Sequence, residues 1–203
     1  MPISITLDTN IEHPETLTLT SECPNLDQEI AAGKSPYVLI SINNPETLSS
    51  LGKTLATPDP NIPMLKPPSS RNCADDRFLI PKTAIKELRI RIFAPISSDD
   101  ELTLEEKNGH IAGPVTSSLI EAWRTAFRCI PERHCVERVQ FDMRCEQPLM
   151  MRHVVRLLQE VGTGMYVKAK RTMGRELVFG VVGCQDVEKD RWLEESLPVE
   201  KGL

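Results

Sequence analysis

The chain has 203 residues, a length that suits one domain with appendages, and its hydrophobic share of 40% is enough for a sizeable core. The formal net charge is −5, from 29 acidic and 24 basic residues, which excludes a global attraction to nucleic acid or to an anionic membrane surface. Aromatic residues make up only 4%, so aliphatic side chains must fill most of the core and stacking platforms for bases are scarce.

The N-terminal MPISITLDTN has neither the basic start nor the apolar centre of a signal peptide. No run approaches the roughly 18 apolar residues of a membrane span. The six cysteines, at 23, 73, 129, 135, 145 and 184, are scattered and form no CxxC pair. The expectation is therefore a cytoplasmic or nuclear protein with reduced thiols.

Taken in chain order, Ile3, Ile5 and Leu7 alternate with polar residues, as do Leu17 and Leu19, and both patterns predict half-buried strands. The run from Tyr37 to Ile42 is more continuously apolar and suits a strand nearer the middle of a sheet. Between them, 25–34 is polar with room for one helical turn closed by Gly33. Residues 45–77 carry Pro45, Pro58, Pro60, Pro63, Pro67 and Pro68 on a serine- and threonine-rich background, which predicts an extended proline-rich linker or flap.

Order is expected again in KELRIRIFAP. Leu88, Ile90 and Ile92 alternate there against Arg89 and Arg91, giving a strand with one apolar and one arginine face. An acidic loop follows over 97–114, ending in the turn GHIAGP. Leu119, Ile120, Trp123, Ala126 and Phe127 share one helical face over 117–129, with Ser118 and Glu121 at capping-box spacing.

The best-patterned stretch is 135–183. Val136, Val139, Phe141 and Met143 predict a strand over 136–143. Pro148 opens a helix over 148–161 in which Leu149, Met150, Val154, Leu157, Leu158 and Val161 recur at helical spacing, and Gly162 stands at its C-terminal cap. Two strands over 165–172 and 176–182, with Gly174 between them, should form a hairpin. A short acidic terminal helix is expected around Trp192.

These elements predict an α/β (α+β) fold: a mixed sheet with β-α-β-α-β-β order in its C-terminal part, helices mainly on one face, and an N-terminal β-rich unit. A ferredoxin-like plait and an open sheet of repeated strand-helix units both satisfy the order. The expected division is a β-rich unit over 1–44 docked on the main domain, the linker over 45–77, the α/β domain over 78–197 and a tail over 198–203.

Charge supplies the first functional candidate. Between Arg124 and Arg175 stand eleven lysines and arginines against five acids, a local excess of +6 in an acidic chain. Arg152 and Arg156 share a helical face, and Lys168 and Lys170 share a strand face. With Arg144 and Arg171 they form the candidate partner-binding set. The plainer alternative is an ordinary solvated surface neutralised by the acidic loop and tail.

Metal and catalytic candidates are weaker. Cys129, His134, Cys135, Cys145 and His153 have zinc-ligand chemistry, but His134 and Cys135 diverge as strand neighbours and no CxxC knuckle is present. Asp142, Cys145 and His153 lack a nucleophile elbow or papain-like surroundings. GTGMYVKAKR matches neither GxxxxGK[ST] nor GxGxxG. No catalytic residue, metal or cofactor is therefore assigned.

The block LMMRHVVRLLQEVGT, followed by a strand and by FGVVGC, resembles small uncharacterised proteins common in filamentous fungi. The resemblance spans residues 87–197 and implies no activity. Function is expected to be that of a non-enzymatic interaction module docking an acidic or protein partner through the basic face. RNA or DNA binding by the same face, and a small enzyme with an unrecognised site, are the alternatives.

Overall fold

In the computed structural model, residues 3–9, 17–19, 37–65, 77–92, 117–143, 158 and 177–183 are described. Alternation decides the N-terminal strands. β1 (Ile3–Thr9) buries Ile5 and Leu7, β2 (Leu17–Leu19) buries Leu17, and β3 (Val38–Ile42) buries Val38, Ile40 and Ile42 toward the same core. Leu39, between them in β3, is also buried but stands outside that core cluster, as its opposite direction requires.

Residues 45–65 correct the expectation of a structureless proline-rich connection. They form α1 (Pro45–Ala56) and β4 (Asn61–Leu65). The prolines sit where each element tolerates them. Asn44 caps α1, its Oδ1 accepting from the Thr47 N–H at 2.7 Å, and Pro45 occupies the first turn, where no N–H bond is lost. Leu48, Leu51 and Leu55 then form one buried stripe, and Pro58 and Pro60 fall beyond the last turn.

Pro63 lies inside β4, which pairs with both β2 and β5 (Arg77–Pro81). The Lys82 N–H donates to the Pro60 carbonyl at 2.9 Å, so Ile62 and Ile80 form a hydrogen-bonded pair and Pro63 and Leu79 a non-hydrogen-bonded one. The Pro63 nitrogen therefore points away from β5, toward the β2 side. Thr18 pairs with Leu65 there, and β2 has not yet begun at the level of Pro63. No ladder bond is lost.

A 3-10 turn (Lys82–Ala84) leads directly into β6 (Ile85–Arg91), followed by α2 (Ser117–Arg128), β7 (Arg138–Asp142) and β8 (Val178–Val182). Trp123, Ala126 and Phe127 bury the predicted face of α2. In its first turns Glu121 accepts from Arg124 Nη1 at 2.8 Å.

The sheet order is β5-β4-β2-β1-β3-β6-β7-β8. β1 is shared: Ile3 to Thr6 pair in parallel with β3, whereas Leu7 to Thr9 pair antiparallel with β2. From β1 to β8 every neighbour is parallel, giving a mostly parallel sheet with a smaller, largely antiparallel part beyond β1. Parallel neighbours throughout β6, β7 and β8 exclude the ferredoxin-like plait, whose neighbouring strands are antiparallel, and leave the open sheet of strand-helix units.

Each crossover steps in the same direction, from β3 to β6 and from β6 to β7. Successive crossovers of one hand and one direction put their helices on the same face. α1 and α2 indeed pack on each other and on one core. At their contact a Cβ on Gly52 would lie 2.7 Å from the Cys129 carbonyl carbon and oxygen, so only glycine permits this approach. Trp123, Phe127, Phe141 and Phe179 form a chain of ring contacts, with centroids 6.2–6.4 Å apart, that ties α2 to β7 and β8. Leu158, within the expected helix 148–161, is helical and fully buried in this core. The remainder of that helix, the turn over 25–34, the acidic loop, the strand over 165–172 with its hairpin and the terminal helix lie outside the described residues.

Candidate functional site

With α1 and α2 on one face of the parallel sheet, alternate strand residues must point to the other. Register assigns them rung by rung. Leu39, Glu87, Arg138 and Val178 form one row across β3, β6, β7 and β8, at about 4.8 Å per strand. Ser41, Arg89, Gln140 and Gly180 form the next, and Arg91, Asp142 and Val182 the last. The arginine face expected of KELRIRIFAP is therefore real: Leu88, Ile90 and Ile92 are buried in the core, while Arg89 and Arg91 are half-exposed on the reverse.

Polar contacts knit this second face. Arg89 donates from Nε to Gln140 Oε1 at 2.8 Å, across neighbouring strands. At the C-terminal end Arg91 is only the register neighbour of Asp142, which is 1% exposed, and the Arg91 Nε is buried without a hydrogen-bond partner among the described residues. At the N-terminal end Tyr37 donates its hydroxyl to Glu87 Oε2 at 3.2 Å. Partial burial raises the Tyr37 pKa above its ordinary value, and the adjacent Glu87 charge and hydrogen bond reinforce this against the opposing pull of Arg138. The phenol is thus held neutral as a donor to a carboxylate. Lys86, at the irregularity where β6 shifts register against β3, pairs with Glu137 at 2.7 Å.

Apolar exposure falls on the same side. The exposed large hydrophobic residues among those described are Tyr37, Leu79 and Val178, at 38%, 53% and 50%. Tyr37 precedes core-facing Val38 and reaches Glu87, Leu79 pairs with exposed Pro63, and Val178 neighbours Arg138, so register turns all three away from α1 and α2. Arginines and exposed aromatic and aliphatic groups thus share one side of the sheet, with Leu79 at the opposite rim from Val178.

The candidate residues Arg144, Arg152, Arg156, Lys168, Lys170 and Arg171 lie outside the described residues. From the same basic run, Arg124 is committed to Glu121, and Arg128, Arg133 and Arg138 are exposed. Tyr37, Arg138 and Val178 were not singled out from sequence. The parity of RVQFD, with Val139 and Phe141 inward, already placed Arg138 and Gln140 together, but pairing with β6 and β8 was needed to join them to Arg89 and Val178.

Of the cysteine and histidine candidates, Cys129 follows the last residue of α2, His134 is 5% exposed and Cys135 is half-buried with a free thiol. Cys145, His153 and the GHIAGP turn lie outside the described residues. Among the described residues no group of three or more His, Cys, Asp or Glu is placed to hold a metal ion, and no helix is long and apolar enough to cross a membrane. No family model, no curated protein and no solved structure matches this chain.

Proposed function

We propose that this protein is a non-enzymatic interaction module that docks an acidic protein partner through the face of its sheet opposite the helices. The observation that carries this reading is the coincidence, on that face, of Arg89, Arg91 and Arg138 with the exposed Tyr37, Leu79 and Val178. Parallel sheets are ordinarily covered on both faces. Here α1 and α2 cover one. On the other, Leu39, Glu87 and Asp142 are buried while Tyr37, Arg138 and Val178 stay exposed, and a partner docking over those last three would bury both apolar groups and arginine. The basic positions Arg144, Arg152, Arg156, Lys168, Lys170 and Arg171 are assigned to the same role by charge alone.

Fluorescence anisotropy with labelled poly-L-glutamate and with a random RNA pool, each at low and physiological salt, tests the reading. The module binds the acidic polypeptide and is weakened by Arg89→Glu. RNA binding that falls steeply with salt, through neutralised phosphates, would instead establish the nucleic-acid alternative. Charge reversal of Lys168 and Lys170 together asks whether the wider basic set takes part. Absence of binding to either polymer at low salt contradicts a basic docking face altogether.

A further inference from the structure

We infer that the centre of this docking face is the cluster of Tyr37, Arg138 and Val178 at the N-terminal ends of β3, β7 and β8, and that its occupant is a protein segment presenting a carboxylate beside an apolar side chain. The inference rests on the docking-face reading above and sharpens it to one place and one ligand chemistry.

Charge bookkeeping around the rung singles out Arg138. Two carboxylates flank it: Glu87 directly across the strand pair and Glu137 beside it in sequence. Each is already engaged within the chain. Glu87 is 8% exposed and accepts from the Tyr37 hydroxyl at 3.2 Å, while Glu137 holds Lys86 at 2.7 Å. Arg89, one rung away, has its Nε engaged by the neutral amide of Gln140. Arg138 is exposed and forms no ion pair among the described residues, so its guanidinium is the uncommitted charge of the row. A planar guanidinium favours bidentate carboxylate.

The flanks supply the rest. Val178 stands next to Arg138 in register and is 50% exposed. Tyr37 is 38% exposed on the far side of Glu87, and its donated hydrogen bond fixes the ring. Tyrosine and arginine are residue types on which interface energy concentrates, and Val178 adds apolar area beside them, the three spanning about 15 Å.

The test is selection from a random displayed-peptide library on the immobilised full chain, followed by anisotropy with the consensus peptide. Enrichment of an acidic residue next to an apolar one, with affinity falling about tenfold or more in Arg138→Glu and unchanged in the exposed control Arg133→Glu, is the expected result. Tyr37→Ala should weaken the same peptide several-fold. Thermal melts of each variant must match the parent, and Arg138→Gln provides a second, milder variant should Arg138→Glu melt early. If the selected peptides bind Arg138→Glu normally but lose affinity in Arg89→Glu, the cluster assignment is wrong and the docking-face reading survives. Peptides indifferent to both substitutions overturn both, as does a library that yields no consensus. Binding of an RNA pool that depends on Arg138 overturns the protein occupant.

Discussion

Replacing Gly52 by alanine sets two calculable effects against each other. Alanine at an interior helix position is intrinsically better than glycine by about 1 kcal/mol, so propensity alone predicts a stabilised protein. The added Cβ, however, would stand 2.7 Å from the Cys129 carbonyl carbon and oxygen and 2.9 Å from its Cβ, all below the 3.0 Å that real contacts respect. The obstructing atoms are mostly backbone at the end of α2 and cannot swing aside. The helices must separate until the contact reaches at least 3.4 Å, which loosens packing around Leu51, Leu55 and Ile130. Overpacking of this kind costs about 1–3 kcal/mol, and a backbone obstruction places it in the upper half of that range. The net expectation is a loss of about 1–2 kcal/mol, or a fall in Tm of about 3–6 °C for a chain of this length. Circular-dichroism melts and urea titrations of Gly52→Ala beside Lys53→Ala, an exposed substitution in the same turn, measure it directly. A Gly52→Ala protein as stable as the parent, or more so, would show that α1 and α2 do not approach as closely as described.

Three further outcomes are expected. Lys82 donates from Nζ to the Leu55 carbonyl at 3.0 Å and to the Thr57 carbonyl and hydroxyl at 2.6 and 3.0 Å, closing the C-terminal end of α1. Lys82→Met should cost about 1 kcal/mol in urea titrations, with a visible loss of helicity before the main transition. The raised Tyr37 pKa means that the folded state holds the phenolic proton more tightly than the unfolded chain. Its contribution to stability is then complete below about pH 10 and lost as pH rises through the folded value. In a Tyr166→Phe background the phenolate absorbance of Tyr37 should appear above its ordinary pH, and Glu87→Gln should bring it back down. Gly183 leaves β8 with φ at 92°, in the left-handed region, so Gly183→Ala should cost about 1 kcal/mol by thermal melt, whereas an unchanged Tm would contradict that backbone conformation.

Periodicity made much of this fold legible. The alternation in ISITL, YVLISI and RVQFD, and the stripe of Trp123, Ala126 and Phe127, were readable because one buried face imposes a fixed spacing on each element. α1 was missed although its signals were present. Asn44 and Pro45 are a cap and a first-turn proline, and Leu48, Leu51 and Leu55 keep helical spacing. Counting prolines across 45–77 outweighed asking where each one sits, and position decides whether a proline breaks a helix or begins one. β4 was hidden for a related reason, since Pro63 is compatible with a paired strand only through the register of β5 and the late start of β2.

The candidate site was legible in part. Arg89 and Arg91 declared their face by alternation with Leu88 and Ile90, a local pattern. The row containing Tyr37, Glu87, Arg138 and Val178 draws on four segments far apart in sequence. Only parallel pairing brings them side by side, and no local spacing carries that information.

The order of the strands bears on how the chain assembles during synthesis. Proceeding outward from β1, the parallel part reads β3, β6, β7, β8, which is also the order in which these strands leave the ribosome. Each emerging strand finds its partner already made and adds to a growing rim, as in a solenoid, with no need to insert between two earlier strands. β2, β4 and β5 extend the opposite rim in the same temporal order. Nascent β1 thus serves both directions of growth, and a chain stalled after β6 would already hold its first six strands in their final neighbourhoods, with the β6 rim ready to template the seventh.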